Sequence, residues 1–114
     1  MSLTISFIYL SENVKDKFLN PESNLFGFEI CRKELWGHKM LKDLGCKIIS
    51  ELNEKDLFIV NEELEIVYRD CIIILKNSSV ISLTTNYSEI FIEYRVNNLF
   101  EFLKVALNNK DNLG

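Results

Sequence analysis

Three residues that can carry chemistry stand at helical spacing early in the chain: Cys31, Glu34 and His38 are separated by three and four positions. On one straight helix they would share a flank, where a thiolate, a carboxylate and an imidazole could bind zinc or activate a nucleophile. About two helical turns separate the cysteine from the histidine, whereas a cysteine nucleophile needs its histidine within hydrogen-bond reach. We therefore expect an apolar cysteine, a solvated glutamate and a boundary histidine, with no catalytic residue, metal or cofactor.

These residues belong to residues 26–46, which we call the hub. The hub holds the only Trp and the only His of the chain, two of its three Cys and three of its four Gly. Its apolar residues form two stripes that are turned by roughly a third of a circle where Gly37 stands between them. This pattern predicts a helix that begins near Phe28, bends at Gly37 and ends at Gly45, since glycine accepts a left-handed C-terminal cap. The hub is therefore interpreted as a bent structural segment.

The remaining elements follow from hydrophobic periodicity. Residues 3–10 alternate as a strand does, and residues 47–49 and 56–60 could form two short strands beside them. Asn61, followed by two glutamates, predicts the start of a helix that runs to residue 77. A strand over residues 66–75 competes with that helix, because three isoleucines stand together there.

The last element has the clearest pattern. Apolar residues recur at intervals of four and three from Ile92 to Ala106, which predicts a helix over residues 88–108. Asn86 and Glu89 resemble its capping pair. Together the patterns predict one domain, residues 1–114, of the α+β class: predominantly helical, with an N-terminal strand, one or two short strands and three main helices. The alternative is an all-α fold.

Charge is distributed unevenly along the chain. The net charge is −4, and residues 51–70, which we call the acidic window, carry seven acids against Lys55 and Arg69. The window alone is therefore −5, and the rest of the chain is +1. A locally negative surface repels phosphate backbones, so nucleic acid is not an expected partner. The acids could simply solvate a helix start, or they could meet a basic protein.

The acidic window supports our first functional hypothesis, a small non-enzymatic acidic protein that binds a basic protein partner. Immunity proteins, which neutralise bacterial toxins, are an analogy in size and charge. The candidate partner-binding residues are Glu54, Asp56, Glu62, Glu63 and Glu65.

A second hypothesis is a small enzyme or ligand-binding domain that uses Trp36, His38 and Arg95. Arg95 adjoins the apolar face of the last helix, where a guanidinium generally pairs with a carboxylate or stacks on an aromatic ring. A pocket lined by these three side chains would favour this hypothesis, and their burial in packed core would remove its basis. Self-association through an apolar face, giving a homo-oligomer, is a third.

The cysteines and the apolar runs indicate the compartment. Three cysteines at spacings of 15 and 25 match neither a disulfide framework nor a zinc ribbon, so we expect reduced thiols. No apolar run approaches the 18 or so residues of a membrane span, and no basic leader is present. We expect a cytoplasmic protein without membrane association.

The segments FGFE, LWG, LG and EYRVNNL, at residues 26–29, 35–37, 44–45 and 93–99, resemble a family of small uncharacterised bacterial proteins of about this length. The resemblance covers roughly residues 26–103. It implies a prokaryotic cytoplasmic setting, and because the family has no assigned activity it transfers no functional residue.

Overall fold

The chain folds into a predominantly helical structure, a computed structural model that describes residues 3–10 and 26–114. The predicted predominance of helix is confirmed, and the arrangement is compatible with the all-α alternative. In chain order the elements are a π-helical turn Arg32–Trp36, α1 Lys39–Asp43, a 3₁₀ turn Ile49–Asn53, α2 Glu63–Lys76, α3 Ser78–Thr85 and α4 Glu89–Leu107.

The predicted N-terminal strand is not formed within the described part of the chain. Leu3 exchanges backbone hydrogen bonds with residues 26 and 27, whereas Tyr9 forms a single antiparallel bridge with Leu113. The two ends of the segment thus bond to different parts of the chain, and no partner strand runs along it. Alternation of apolar and polar residues with a period of two indicates which side chains face inward. A sheet also needs a neighbouring strand that pairs along the whole segment.

The two short strands predicted at residues 47–49 and 56–60 are likewise wrong. The backbone N–H groups of residues 47–49 donate to the carboxylate of Asp70, so they are not available to a sheet ladder. Ile49 begins the 3₁₀ turn, and residues 56–60 have no regular secondary structure. Residues 47–48 and 56–60 are therefore irregular chain.

Helix α2 confirms the helical interpretation of residues 62–77 over the competing strand. Its inward positions include Leu64, Val67 and Cys71, which recur at helical spacing and are all buried. The expected cap is displaced by one residue, because Glu62 occupies the N-cap position and makes no side-chain cap hydrogen bond. Asn61 instead takes a left-handed conformation at φ 53°, which asparagine tolerates better than most residues.

Helix α4 confirms the predicted bounds to within one residue at each end. Ser88 is its N-cap, and the hydroxyl accepts a hydrogen bond from the backbone N–H of Phe91 at 3.0 Å. The predicted capping role of Asn86 is wrong, since Asn86 ends α3 in a left-handed conformation at φ 67°. The sequence pattern did not predict α3, whose Ser and Thr residues are poor helix formers.

The hub bends where the sequence predicts, but by a different local structure. The N–H of Gly37 donates to the carbonyl of Arg32 at 2.7 Å, the i to i+5 bond of a π-helix. A Cβ at Gly37 would clash with that carbonyl and stand 2.7 Å from the Cα of Asn53. Gly37 is therefore needed because the 3₁₀ turn approaches closely. Gly45 follows the end of α1 with φ 109°, the positive φ expected of its cap.

The core includes buried side chains from the hub, α2 and α4, and the α2–α4 pair forms the most extensive helix contact of the described structure. Leu35, Trp36 and Leu41 contribute fully buried side chains from the hub. Val96 from α4 and Ile74 from α2 are also fully buried. The hub is thus an internal packing element.

Candidate functional site

The acidic window runs from the 3₁₀ turn through irregular chain into the first half of α2. Six of its seven acids are exposed and one, Asp70, is buried. The acidic window therefore consists of one buried structural carboxylate, that of Asp70, and six exposed acids that form a charged surface.

Asp70 stabilises the start of the 3₁₀ turn. Its side chain is 1% exposed, and its Oδ2 accepts hydrogen bonds from the N–H groups of Ile48 and Ile49 at 2.8 and 3.0 Å. Its Oδ1 accepts a third from the N–H of Lys47 at 3.0 Å. The N–H groups at a helix start have no acceptor within the helix, and a carboxylate supplies one together with favourable charge. Asp70 is therefore part of the fold rather than of a binding surface.

Asp56 is exposed but already paired. Its Oδ1 accepts from the Arg32 Nη2 at 2.7 Å, and the Arg32 Nε donates to Glu29 at 2.7 Å. The Arg32 Nη1 also donates to the carbonyls of Leu52 and Lys55 at 3.2 and 2.9 Å. Four of the five guanidinium N–H groups are thus engaged. The hydrogen bonds that Arg32 donates to Glu29 and then to Asp56 raise its pKa.

Two further acids make ion pairs at the surface. Glu65 contacts Lys110 at 3.1 Å, and Glu51 contacts Lys55 at 3.7 Å, with every side chain at least 44% exposed. Such exposed pairs contribute about 0–1 kcal/mol and exchange readily with solvent or with a partner. Within residues 3–10 and 26–114, no ion pair engages Glu54, Glu62 or Glu63. Among the described residues, no cation therefore competes for their charge.

Phe58 lies between Asp56 and Glu62 along the chain and is the residue that sequence reasoning missed. Its side chain is 76% exposed, whereas the neighbouring Leu57 and Ile59 are half-buried. The only sequence signal is an aromatic residue between two groups of acids. The apolar run at residues 56–60 predicts a short strand there instead. An exposed aromatic residue beside charged groups is typical of protein interfaces.

The residues of the ligand-binding hypothesis have separate structural roles. Trp36 is fully buried, its Nε1 donates to the carbonyl of Phe26 at 2.9 Å, and the two rings stack with centroids 4.1 Å apart. His38 is the N-cap of α1, and its Nδ1 accepts from the N–H of Met40 at 3.0 Å. The structure therefore uses both side chains internally.

Arg95 shows the aromatic stacking that its position predicts. Its guanidinium carbon lies 5.2 Å from the ring centroid of Phe91 and 5.4 Å from that of Tyr94. Trp36, His38 and Arg95 do not line the apolar cavity described below. Each of these three side chains thus has a structural role of its own within the described residues.

The cysteines are buried thiols. Burial raises the pKa of Cys46 from 9.0 to about 12, with the charge of Asp70 acting in the same direction. Burial, Asp70 and Cys46 also raise the pKa of Cys71. A thiol with a raised pKa is a poor nucleophile at neutral pH, because the reactive form is the thiolate. In the described part of the chain, no three His, Cys, Asp or Glu side chains are grouped so as to hold a metal ion.

Comparison of the chain with protein-family models, curated proteins and solved structures finds no match. The resemblance to small bacterial proteins therefore stays a prediction. Among the described helices, none combines the length and apolarity that crossing a membrane requires.

Proposed function

We propose that this protein is a non-enzymatic acidic binding protein that engages a basic protein through the acidic window. The observation that carries the proposal is Phe58, an exposed aromatic side chain between Glu54 and Glu62. Aromatic residues that become desolvated at the centre of an interface often supply most of the binding energy. Surrounding acids supply charge complementarity and increase the association rate.

The proposed contact residues are the five acids predicted from sequence together with Phe58. Glu54, Glu62 and Glu63 are exposed and available, whereas Asp56 and Glu65 would first exchange or share their bonds with Arg32 and Lys110. We therefore rank the first three above the other two. By analogy with immunity proteins, binding would neutralise the basic partner by covering its surface.

A charge-reversed variant tests the proposal. Bait protein carrying Glu54→Lys, Glu62→Lys and Glu63→Lys would be compared with wild type in capture from a bacterial lysate, followed by titration of the captured protein. A matched control reverses Glu34, Asp43 and Asp111, three exposed acids outside the window. We expect one basic protein whose affinity falls about 10-fold to 100-fold in the window variant only.

Phe58→Ala separates the aromatic contribution from charge. It should weaken the same titrated complex by about 10-fold or more, with an unchanged dependence on salt concentration, because an apolar contact is not screened. Equal capture by wild type and the window variant would contradict the proposal. An equally large loss of capture in the control variant would show that net charge, and not the acidic window, determines binding.

A specific observation also favours self-association as a second candidate. Leu83 on α3 and Ile90 on α4 are each 83% exposed, and residues 77–88 contain no charged side chain. Two copies of a protein with net charge −4 repel one another, and the uncharged segment 77–88 is where they can approach most closely. Light scattering of wild type and Leu83→Asp tests this: a dimer that becomes monomeric supports it, and a monomeric wild type excludes it.

The compartment is part of the proposal. Three free buried cysteines suit a reducing environment, and we therefore assign the protein to the cytoplasm. Labelling with a thiol reagent after denaturation of freshly purified protein should show three reduced thiols.

A further inference from the structure

A cavity of about 640 Å³ lies between the N-terminal segment, the irregular chain at residues 56–59 and helix α4. This volume falls within the range of small-molecule pockets, about 300–1,000 Å³. Its lining is largely apolar and includes Leu3, Ile5, Phe26, Leu57, Leu99 and Phe102. Water gains few hydrogen bonds against such walls, so an apolar ligand would replace it favourably.

The polar groups of the cavity restrict the chemistry of that ligand. Glu29, Arg32 and Asp56 line it together, and these three formal charges sum to −1. Because Arg32 already donates to both carboxylates and to two backbone carbonyls, it has little capacity left for an anion. The carboxylates keep free lone pairs, since each oxygen can accept more than one hydrogen bond.

We propose that this cavity binds a small amphiphile made of an aliphatic chain and an uncharged, hydrogen-bond-donating head group such as a hydroxyl. The chain lies against the apolar walls, and the hydroxyl donates to Glu29 or Asp56. Fatty carboxylates are disfavoured, because their head group would meet two carboxylates and a guanidinium that is nearly saturated. This inference goes beyond the proposed function, since the cavity walls carry it and no protein partner is needed.

The protein contains its own reporter for such binding. Trp36 is the only tryptophan, and its ring stacks on Phe26, whose side chain is part of the cavity lining. A bromine atom quenches indole fluorescence at short range. A brominated ligand that enters the cavity should therefore quench Trp36 in a saturable manner, because the indole stacks on a residue of the cavity lining.

The experiment titrates the full chain with 12-bromo-1-dodecanol and with 12-bromododecanoic acid, each below its aggregation limit. The two probes have the same chain and differ in the head group. We expect saturable quenching by the alcohol with one ligand per protein, and about tenfold weaker binding of the acid near pH 7. No saturable quenching by the alcohol, or tighter binding of the acid, would overturn the proposal.

Two variants locate the site. Leu99→Phe enlarges a half-buried wall residue and should weaken binding of the alcohol by about tenfold or more. The matched Leu107→Phe, at a half-buried leucine of the same helix outside the cavity lining, should leave binding unchanged. Asp56→Asn tests the head group without touching the core, because Asp56 is exposed. Because it removes one carboxylate charge, it should narrow the difference in affinity between the brominated acid and the brominated alcohol. An unchanged ratio of the two affinities would contradict the assigned position of the head group.

Discussion

The hub and the acidic window use their polar groups in opposite ways. In the hub, the Trp36 indole donates to a backbone carbonyl and the His38 imidazole caps a helix. In the window, Glu54, Glu62 and Glu63 are exposed. The rare residue types of the hub therefore serve in packing and capping. The surface to which we assign binding is formed by glutamate, the more common of the two acidic residue types in this chain.

Asp70 shows that the division follows exposure rather than position in the sequence. It lies at the end of the acidic window, yet it accepts three hydrogen bonds from residues 47–49 just beyond the hub. Substitutions that lower the free energy of unfolding should therefore cluster in the hub and at Asp70. Substitutions at the exposed acids should affect binding.

Asp70→Ala is expected to have the largest effect on stability. Three backbone N–H groups would lose their acceptor, at about 1–3 kcal/mol each where water cannot replace it, so we expect a loss of about 3–5 kcal/mol. Urea unfolding followed by circular dichroism measures this change. Asp70→Asn should lose less, because its amide oxygen can still accept from Ile48 and Ile49.

The matched control is Glu63→Ala, which removes an exposed carboxylate of the same window. A change of about 0.5 kcal/mol or less is expected, as for most surface substitutions. If both variants lost similar stability, the division of the window into structural and available carboxylates would be wrong.

Gly37→Ala should have the next largest effect and tests the bend of the hub. Helix propensity alone predicts a gain of about 1 kcal/mol, because alanine is the better helix former. The close approach of Asn53 predicts the opposite sign, a loss of about 2–4 kcal/mol, since the added Cβ forces the π-helical turn and the 3₁₀ turn apart.

Gly45→Ala is the comparison for Gly37→Ala. Its Cβ would meet the Ile73 Cδ1 at 3.7 Å, an ordinary contact, so only the positive φ opposes the substitution. We expect a loss of about 1–2 kcal/mol. Thermal unfolding of both variants orders the two effects, and a stabilised Gly37→Ala protein would show that the helices do not approach as closely as described.

Alkaline pH should destabilise the protein through the buried thiol of Cys46, the last residue of the hub. Cys46 has a pKa near 9.0 when exposed and about 12 when folded, so the unfolded chain loses its proton first as the pH rises. Its contribution is fully present below pH 9 and is lost progressively up to pH 12, by about 1–2 kcal/mol at about pH 10.5. Cys46→Ala should flatten the alkaline fall in unfolding free energy relative to wild type, and parallel pH profiles would contradict this.

The sequence predicts those elements whose signals are local. Helix α4 carries its apolar stripe within its own residues, and the cap at Gly45 follows from one glycine after an apolar stripe. The 3₁₀ turn could not be predicted in this way, because its acceptor, Asp70, lies about twenty residues away. The apolar run at residues 56–60 predicts only a short strand, and nothing local shows that Phe58 is exposed within it.

For the candidate site, the same reasoning predicts the exposed acids and misses the groups that tertiary contacts define. Acids are mostly exposed in any fold, so composition suffices for Glu54 or Glu62. The pairing of Arg32 with Asp56 joins positions 24 residues apart and requires the hub to turn back along the acidic window. Local periodicity contains no information about such a contact.

Glu54→Lys is expected to have the smallest effect of all and tests whether the fold uses the window's charge. Glu54 lies outside α2, and it has no ion pair among the described residues, so reversal should change stability by about 0.5 kcal/mol or less. Glu63→Lys should cost about 0.3–1 kcal/mol, because Glu63 is in the first turn of α2, where a positive charge opposes the helix dipole. Urea unfolding of the two single variants at low salt measures this small difference. A loss of more than about 1 kcal/mol in Glu54→Lys would mean that the fold depends on this carboxylate. The hub bonds its polar groups internally, whereas the acidic window exposes its charges. This contrast would then fail at Glu54, the residue where we expect it to hold best.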